Sequence, residues 1–141
     1  MTVTNVDNQR IVMKEKIRNI SKISDLYHDS GFCPANDVLA PTLDKWSMFC
    51  LFNLAYYRTM RFGELRKNIN GISARMLSVT LKRLEKNGFV ERTAYSEVPP
   101  RVEYALTEFG AELSKRLVDL SDWFLKNYEE NQKGKSDKTM S

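Results

Sequence analysis

Cationic and hydroxyl side chains line one face of residues 73–87, a pattern that suits contact with nucleic acid. At 100° per residue, the inner face of a helix over this segment holds three leucines: Leu77, Leu81 and Leu84. The outer face and its flank hold four polar side chains and one valine: Arg75, Ser78, Val79, Lys82 and Lys86. An amphipathic helix with a cationic outer face is therefore predicted, and Ser73 is placed to cap its first turn.

The flanking residues predict that this helix is the second of a helix-turn-helix pair. Phe62, Leu65 and Ile69 recur at helical spacing and predict a short preceding helix over residues 61–69. Gly71 lies in the turn that follows, and Gly88 ends the second helix in a left-handed conformation that glycine tolerates. This order is typical of motifs that place a recognition helix in the major groove of DNA.

A stiff hairpin follows the second helix. Side chains alternate between two faces over residues 90–95 and again over 102–106, as they do in antiparallel strands. Pro99 and Pro100 cannot donate ladder hydrogen bonds, so they belong in the connecting tip. Arg101 places a cation at the base of the tip. A hairpin in this position is interpreted as a wing that touches the minor groove or the DNA backbone.

The order of these motifs resembles the HxlR-type winged-helix transcriptional regulators, relatives of the MarR group, from about residue 33 to residue 124. The matching segments are Cys33-Pro34, Asp44-Lys45-Trp46, Arg61-Phe62-Gly63-Glu64-Leu65, Gly71-Ile72-Ser73-Ala74-Arg75-Met76-Leu77, Leu81-Lys82-Arg83-Leu84-Glu85-Lys86-Asn87-Gly88 and Glu97-Val98-Pro99-Pro100-Arg101-Val102-Glu103-Tyr104. The resemblance implies a dimeric, cytoplasmic, bacterial DNA-binding protein. Asp44 and Val79 depart from the family pattern, which usually has glycine at the first position and often a polar residue at the second.

The outer face of the recognition helix is accordingly assigned to DNA. Four side chains are expected to reach base edges or nearby phosphates: Arg75, Ser78, Val79 and Lys82. Two more are expected mainly to contact the backbone: Ser73 and Lys86. Arg75 is the first candidate for specificity, because arginine to guanine is the commonest specific contact, and Val79 suits the methyl group of thymine. The wing is expected to contribute Pro99, Pro100 and Arg101.

Composition and charge fit one domain that binds a polyanion. The chain has 141 residues, of which 42% are apolar, and a net charge of +4. Nine Lys or Arg and four Asp or Glu lie between Arg61 and Arg101, so the basic excess falls in the helix-turn-helix and wing. No stretch approaches the ~18 apolar residues of a membrane span. Residues 1–5 lack the features of a secretory signal, so a cytoplasmic protein is expected.

Catalytic chemistry finds little support in the sequence. His28 is the single histidine, and one histidine with two cysteines does not form a zinc site. There is no Gly-rich phosphate loop, nucleophile elbow or paired-carboxylate motif. We therefore expect neither an enzyme nor a bound metal or cofactor.

The two cysteines are expected to differ in reactivity. Cys50 lies among apolar residues and is interpreted as buried and inert. Cys33 precedes Pro34 near a helix start, which favours the thiolate, and it matches a cysteine that senses oxidants or electrophiles in some family members. Redox sensing and simple packing both remain open for Cys33.

Five aromatic residues are interpreted either as core or as the lining of a ligand cavity: Trp46, Phe49, Phe52, Tyr56 and Tyr57.

Helices are predicted on both sides of the winged helix, giving a mainly α fold with a small β-hairpin. Apolar residues recur at helical spacing over residues 9–27 and over 107–130, where Thr107 is placed as the cap. These stripes are interpreted as dimerisation surfaces, with packing onto their own domain as the alternative. The predicted organisation is an N-terminal extension over 1–31, a winged-helix domain with a C-terminal dimerisation helix over 32–130, and a disordered tail over 131–141.

The main interpretation is therefore a homodimeric transcriptional regulator that binds double-stranded DNA and responds to an oxidant or a small molecule. The alternative is a protein-interaction module that keeps the winged helix without binding DNA. Salt dependence separates the two, because binding through phosphate contacts weakens steeply as salt rises.

Overall fold

The computed structural model describes residues 5–139, and the chain divides between Thr42 and Leu43 into two compact units. The first unit contains helix α1 (Asn5–Leu26), a 3₁₀ turn (His28–Ser30), a π-helical turn (Pro34–Leu39) and the short helix α2 (Ala40–Thr42). None of the side chains of α1 is buried. The expected division of the chain after residue 31 stays a prediction.

The second unit is built around helix α3 (Lys45–Tyr57), which carries much of the core. Cys50, Leu51 and Leu54 are at most 1% exposed. The other helices of this unit are α4 (Phe62–Asn68), α5 (Ala74–Lys86) and α6 (Glu108–Thr139). Helices α4 and α5 form the predicted helix-turn-helix, and Gly71 in their turn has φ +85°, a conformation that glycine adopts without steric cost. The mainly helical, winged helix-turn-helix fold class is confirmed.

The sheet has three antiparallel strands rather than the two of the predicted hairpin. Strands β2 (Val90–Tyr95) and β3 (Arg101–Leu106) pair over their full length, from Val90 with Leu106 to Tyr95 with Arg101. Strand β1 (Thr59–Arg61) pairs with the other edge of β3, which gives the order β1-β3-β2. Three residues are too few to show an alternating pattern, and for this reason β1 was not predicted.

The link between α3 and β1 is a single residue, Arg58, with φ +69° and ψ −63°. Within residues 5–139 it is the one non-glycine residue with a positive φ. This pair of angles corresponds to the γ-turn conformation with positive φ, which is rare and costs roughly 1–3 kcal/mol for a residue that carries a Cβ. The link between α3 and β1 is therefore a strained position.

Helix α6 begins where predicted but extends further. Thr107 Oγ1 accepts a hydrogen bond from the Gly110 N–H at 3.0 Å, which confirms Thr107 as the cap. The helix continues to Thr139 instead of ending near Glu130, so the expected disorder of the tail is wrong as far as that residue. Glutamine and lysine beyond residue 130 are good helix formers, and Gly134 alone does not stop a helix that is already nucleated. The end of the predicted tail, residues 140–141, lies outside the described residues.

Glycine at position 110 lets α6 approach the turn between α5 and β2. A Cβ at this position would lie 1.8 Å from the carbonyl oxygen of Phe89, whose N–H and carbonyl are themselves held by hydrogen bonds. The Thr107 N–H donates to that same Phe89 oxygen at 3.1 Å. Gly110 therefore permits the close approach of α6 to the Phe89 carbonyl, and periodicity in the sequence gives no sign of this contact.

Candidate nucleic-acid interface

The recognition helix α5 presents the surface that its sequence pattern predicts. Its inner leucines are at most 1% exposed, together with Thr80 at 1%. The outer side chains are exposed at four predicted positions: Arg75, Val79, Lys82 and Lys86. Ser78 is half-buried on the flank. Val79 is 51% exposed near the middle of this face, so an apolar patch interrupts the cations.

The Ser73 side chain forms a capping hydrogen bond at the start of the same helix. Its Oγ accepts a hydrogen bond from the Met76 N–H at 3.0 Å, which satisfies one of the unpaired amides of the first turn. The predicted cap is thus confirmed. The hydroxyl hydrogen remains free to donate, and Ser73 is exposed, so a phosphate oxygen can approach this helix end.

An ion pair joins α5 to the first turn of α3. Arg83 donates from Nη2 to Asp44 Oδ2 at 2.7 Å and to Ser47 Oγ at 2.6 Å. Asp44 also caps α3, because its Oδ1 accepts from the Ser47 N–H at 2.6 Å. Neither Arg83 nor this role of Asp44 was identified from the sequence, since the two residues lie 39 positions apart. The pair fixes the recognition helix relative to α3.

Hydrogen bonding decides the ionisation of Asp44. Partial burial by itself would raise the pKa of this carboxyl, because it disfavours the charged form. The hydrogen bonds from Ser47 and Arg83, with the positive charge of Arg83, outweigh burial and lower the pKa below its usual value. The carboxylate is therefore ionised at neutral pH, which maintains the pair with Arg83.

The wing tip comprises residues 96–100, with the cis Val98–Pro99 bond at its end. Pro99 and Pro100 lie in the tip as predicted, and Val98 beside them is fully exposed. Arg101, however, is not the free cation that the sequence suggests. Its guanidinium lies 3.3 Å from Glu97 Oε1 and 3.5 Å from Glu103 Oε1, and 4.1 Å from the centre of the Tyr95 ring.

These contacts change the charge balance of the wing. Residues 90–106 contain two arginines and three glutamates, so the wing carries −1. Seven Lys or Arg and two Asp or Glu lie between Arg61 and Gly88. The whole basic excess therefore belongs to the helix-turn-helix. Four exposed cations were not assigned to the interface. Three belong to this basic segment and one lies on β2: Arg61, Arg66, Lys67 and Arg92.

The two cysteines differ as predicted in burial. Cys50 is 0% exposed, and burial, with a smaller effect of the Asp44 charge, raises the pKa of its thiol to about 12. Cys33 is half-buried and precedes the π-helical turn, where its N–H donates to Asp37 Oδ2 at 2.6 Å. Its sulfur lies 4.0 Å from the hydroxyl of Ser24. Both cysteines are free thiols.

The aromatic residues of α3 do not form one group. Tyr56 and Tyr57 contact each other edge to face with ring centres 4.7 Å apart, and both are exposed, which excludes the core interpretation for them. Trp46 is half-buried and contacts Phe49.

Among the described residues there is no cluster of three or more metal-ligating side chains. No helix in that part of the chain is long and apolar enough to cross a membrane.

The sequence and fold both match known regulators. The family model of the HxlR-like helix-turn-helix matches residues 42–132. The uncharacterised HTH-type transcriptional regulator YtfH of Escherichia coli is 41% identical over 98 residues, which are 70% of this chain and 77% of that protein. The structure of the redox regulator HypR in its reduced form matches with a TM-score of 0.60 at 35% identity, over 70% of this chain and 97% of that one.

A second solved structure is similar to the same degree. Diamide-treated YodB from Bacillus subtilis matches with a TM-score of 0.57 at 30% identity, over 67% of this chain and 94% of that chain. The family match begins at the end of α2 and includes the helix-turn-helix, the wing and most of α6, whereas helix α1 lies outside it. This chain belongs to the HxlR-like helix-turn-helix family of transcriptional regulators.

Proposed function

We propose that the protein binds double-stranded DNA sequence-specifically as a homodimer in the cytoplasm, and that it acts as a regulator rather than an enzyme. The observation that carries the proposal is the outer face of α5. It is exposed and cationic, and its opposite face is packed into the core by leucines. A helix held in this way presents the same side chains to the major groove at every encounter.

The charge distribution divides the work between helix and wing. Arg75 at the start of α5 suits a guanine, Val79 suits a thymine methyl, and Lys82 suits a phosphate or base edge. The wing is net negative, so its approach to DNA depends on Arg101 leaving Glu97 for a phosphate. Most of the electrostatic attraction is then supplied by the helix-turn-helix, and the wing adds shape and position.

Dimerisation is supported by apolar surface that the chain leaves exposed. The middle of α6 has large side chains that are 49–62% exposed: Leu120, Trp123, Phe124, Leu125 and Tyr128. Helix α1 has a second exposed stripe: Val6, Met13, Ile17, Ile20 and Ile23. Exposed apolar side chains in rows of this length mark protein interfaces. A two-fold dimer would present two recognition helices to half-sites about one helical turn apart.

The test begins with selection of random duplexes on the purified protein, followed by sequencing of the bound sites. The selected sites should show a dyad with half-sites about 10 bp apart, centre to centre. Affinity for the selected site should fall with a log–log salt slope of about −0.9 per phosphate contacted. Sites without a dyad, or a monomer at micromolar concentration in sedimentation, would reject the dimer model.

The alternative without DNA binding retains specific support. Val79 lies exposed near the middle of the outer face, and the wing carries net negative charge, which both suit a protein partner better than a phosphate backbone. Under this alternative no duplex is enriched above background, and binding to random DNA at low salt is absent. The selection experiment therefore separates the two functions directly.

Redox sensing through Cys33 is the second part of the proposal. Cys33 is partly accessible and lies before a helical turn, and two similar structures are of a redox regulator and of a diamide-treated protein. Oxidation would act through a disulfide between two Cys33 residues of a dimer or with a small thiol. A disulfide between Cys33 and Cys50 of one chain is unfavourable, since the Cys50 thiol is fully buried.

Alkylation rates test this assignment. Cys33 should react with iodoacetamide at least tenfold faster than Cys50, and diamide should alter operator affinity in the wild type but not in Cys33→Ser. Cys50→Ser serves as the matched control and should retain the response. A diamide response that survives in Cys33→Ser would rule out Cys33 as the sensor.

A further inference from the structure

A cavity of about 430 Å³ lies at the junction of α3, the end of β3 and α6. Its volume falls within the usual range for small-molecule sites. Leu54 and Ser114 are both 1% exposed and form the floor, with the half-buried Leu106 beside them. The Ser114 hydroxyl donates to the Gly110 carbonyl at 2.7 Å, so the floor offers no free donor. The inner surface of the cavity therefore suits a hydrocarbon body.

Charge is confined to the rim. Arg58 and Lys115 line the cavity from the α3–β1 link and from α6, with one carboxylate, Asp119, one helical turn beyond Lys115. No carboxylate lies within ion-pairing distance of either cation among the described residues. The rim thus carries net positive charge over an apolar floor, an arrangement complementary to an amphipathic anion.

The backbone at Arg58 gives independent support. With φ +69° and ψ −63°, Arg58 has the γ-turn conformation with positive φ, which glycine adopts without steric cost and which is strained for a residue that carries a Cβ. An arginine there retains strain without any hydrogen bond or ion pair of its side chain in the described structure. Strained residues are concentrated at ligand sites, where the function of the side chain compensates for the free-energy cost of the backbone conformation.

We propose that this cavity is a binding site for an amphipathic organic carboxylate, with the hydrocarbon chain over Leu54, Leu106 and Val118 and the carboxylate between Arg58 and Lys115. A ligand there would lie between α6 and the winged helix. It would change the angle between the helix assigned to dimerisation and the recognition helix. The binding site stands by itself, whereas this regulatory effect rests on the proposed DNA binding.

The direct test is a titration of the full-length protein with octanoate, followed by amide chemical shifts. Saturable shifts are expected at Ala55, Ala111 and Val118, which line the cavity or lie in its walls. Octanol and octylamine have the same chain, one without charge and one with a positive charge, and should bind progressively more weakly. Shifts confined to α1 or to residues beyond 120 of α6, or equal affinity for the three compounds, would overturn the proposal.

Substitutions on α6 should raise octanoate affinity at one position and lower it at another, a pattern that nonspecific adsorption would not produce. Lys115→Gln should weaken octanoate binding by roughly two- to fivefold, and Asp119→Asn should strengthen it by a similar factor, as expected for charges at an exposed rim. Arg116→Gln is the matched control, because Arg116 is adjacent in sequence, does not line the cavity and should change affinity less than twofold. Equal effects of Lys115→Gln and Arg116→Gln would contradict the assignment.

Arg58→Gly separates binding from folding. Glycine adopts φ +69° and ψ −63° without the strain of a Cβ, which offsets its greater freedom in the unfolded chain, so thermal stability should be largely retained while octanoate binding falls. If the variant keeps both its thermal stability and its affinity for octanoate, Arg58 does not belong to the site. Operator affinity with and without octanoate is measured last. If octanoate binds but operator affinity is unchanged, the coupling to DNA is overturned. If no operator is selected, the proposed DNA binding fails, while the octanoate titration still tests the binding site.

Discussion

Removal of the Arg83 guanidinium should destabilise the winged helix by about 1–2 kcal/mol. Hydrogen bonds between charged groups contribute about 1.5–3 kcal/mol when they are buried. The Arg83 and Asp44 side chains are 34% and 42% exposed, so solvent screening brings the pair toward the value of about 1 kcal/mol or less found at surfaces. Ser47 is fully buried, and the loss of its contact with Arg83 at 2.6 Å adds roughly 1 kcal/mol.

The perturbation is Arg83→Met, which keeps the length and apolar stem of the side chain. Urea unfolding followed by circular dichroism at pH 7 gives the loss of stability. Lys67→Met is the matched control, because Lys67 is an exposed cation on α4 that forms no ion pair with any residue the structure describes, and it should change stability by less than about 0.5 kcal/mol. A double-mutant cycle with Asp44→Asn isolates the charge interaction, since asparagine still caps α3.

Acid provides a second check on the same pair. The pKa of Asp44 is lowered in the folded protein, so its contribution to stability is present above the unfolded-state pKa of about 3.9. This contribution is lost as the pH falls below that value and through the lowered pKa. The destabilisation by Arg83→Met should therefore be constant near neutrality and shrink below about pH 4. Additive effects of the two substitutions, with no pH dependence, would refute the reasoning.

Three further changes test other parts of the molecule. Gly110→Ala should cost about 1–3 kcal/mol or more in a thermal melt, because Cβ would meet the Phe89 carbonyl, whereas Gly134→Ala, with nothing within 4 Å, should be neutral or stabilising. Arg75→Ala should cost roughly 1–3 kcal/mol on the selected operator and flatten the preference at one base pair, while Arg101→Ala weakens cognate and random duplexes more evenly; equal, sequence-independent losses would contradict this division. Deletion of residues 1–30 should weaken dimerisation in sedimentation, and unchanged dimer affinity would show that the α1 stripe has another role.

Local signals in the sequence were sufficient for the helix-turn-helix. Ser73 and Thr107 cap the predicted helices, because a hydroxyl at the first turn satisfies amides that the helix leaves unpaired. The leucines of α5 are buried, because a helical period in the sequence places them on one face. The strand register follows from the five-residue tip that the two prolines mark. Each of these features follows from the types of residues within one short segment of the chain.

Features that depend on distant residues were not predicted. The contact of Gly110 with Phe89 and the pair of Arg83 with Asp44 join segments that meet only after folding. The end of α6 was misplaced for a different reason. Polar helix formers after residue 130 resemble a disordered tail in composition, and the two states differ by little free energy per residue.

Arg101 illustrates how a correct placement can still mislead about chemistry. The sequence places this cation beside the wing tip, and the structure agrees, but two carboxylates and a tyrosine ring surround it. A phosphate would have to replace Glu97 as its partner, so the net gain from this contact is the difference between two ion pairs rather than one whole pair. In the part of the chain that the structure describes, Arg75, Lys82 and Lys86 of α5 form no ion pair, so a phosphate faces no such competition there. The energy of DNA binding should therefore reside mainly in the recognition helix, and the wing should act by limiting the orientations in which that helix can enter the groove.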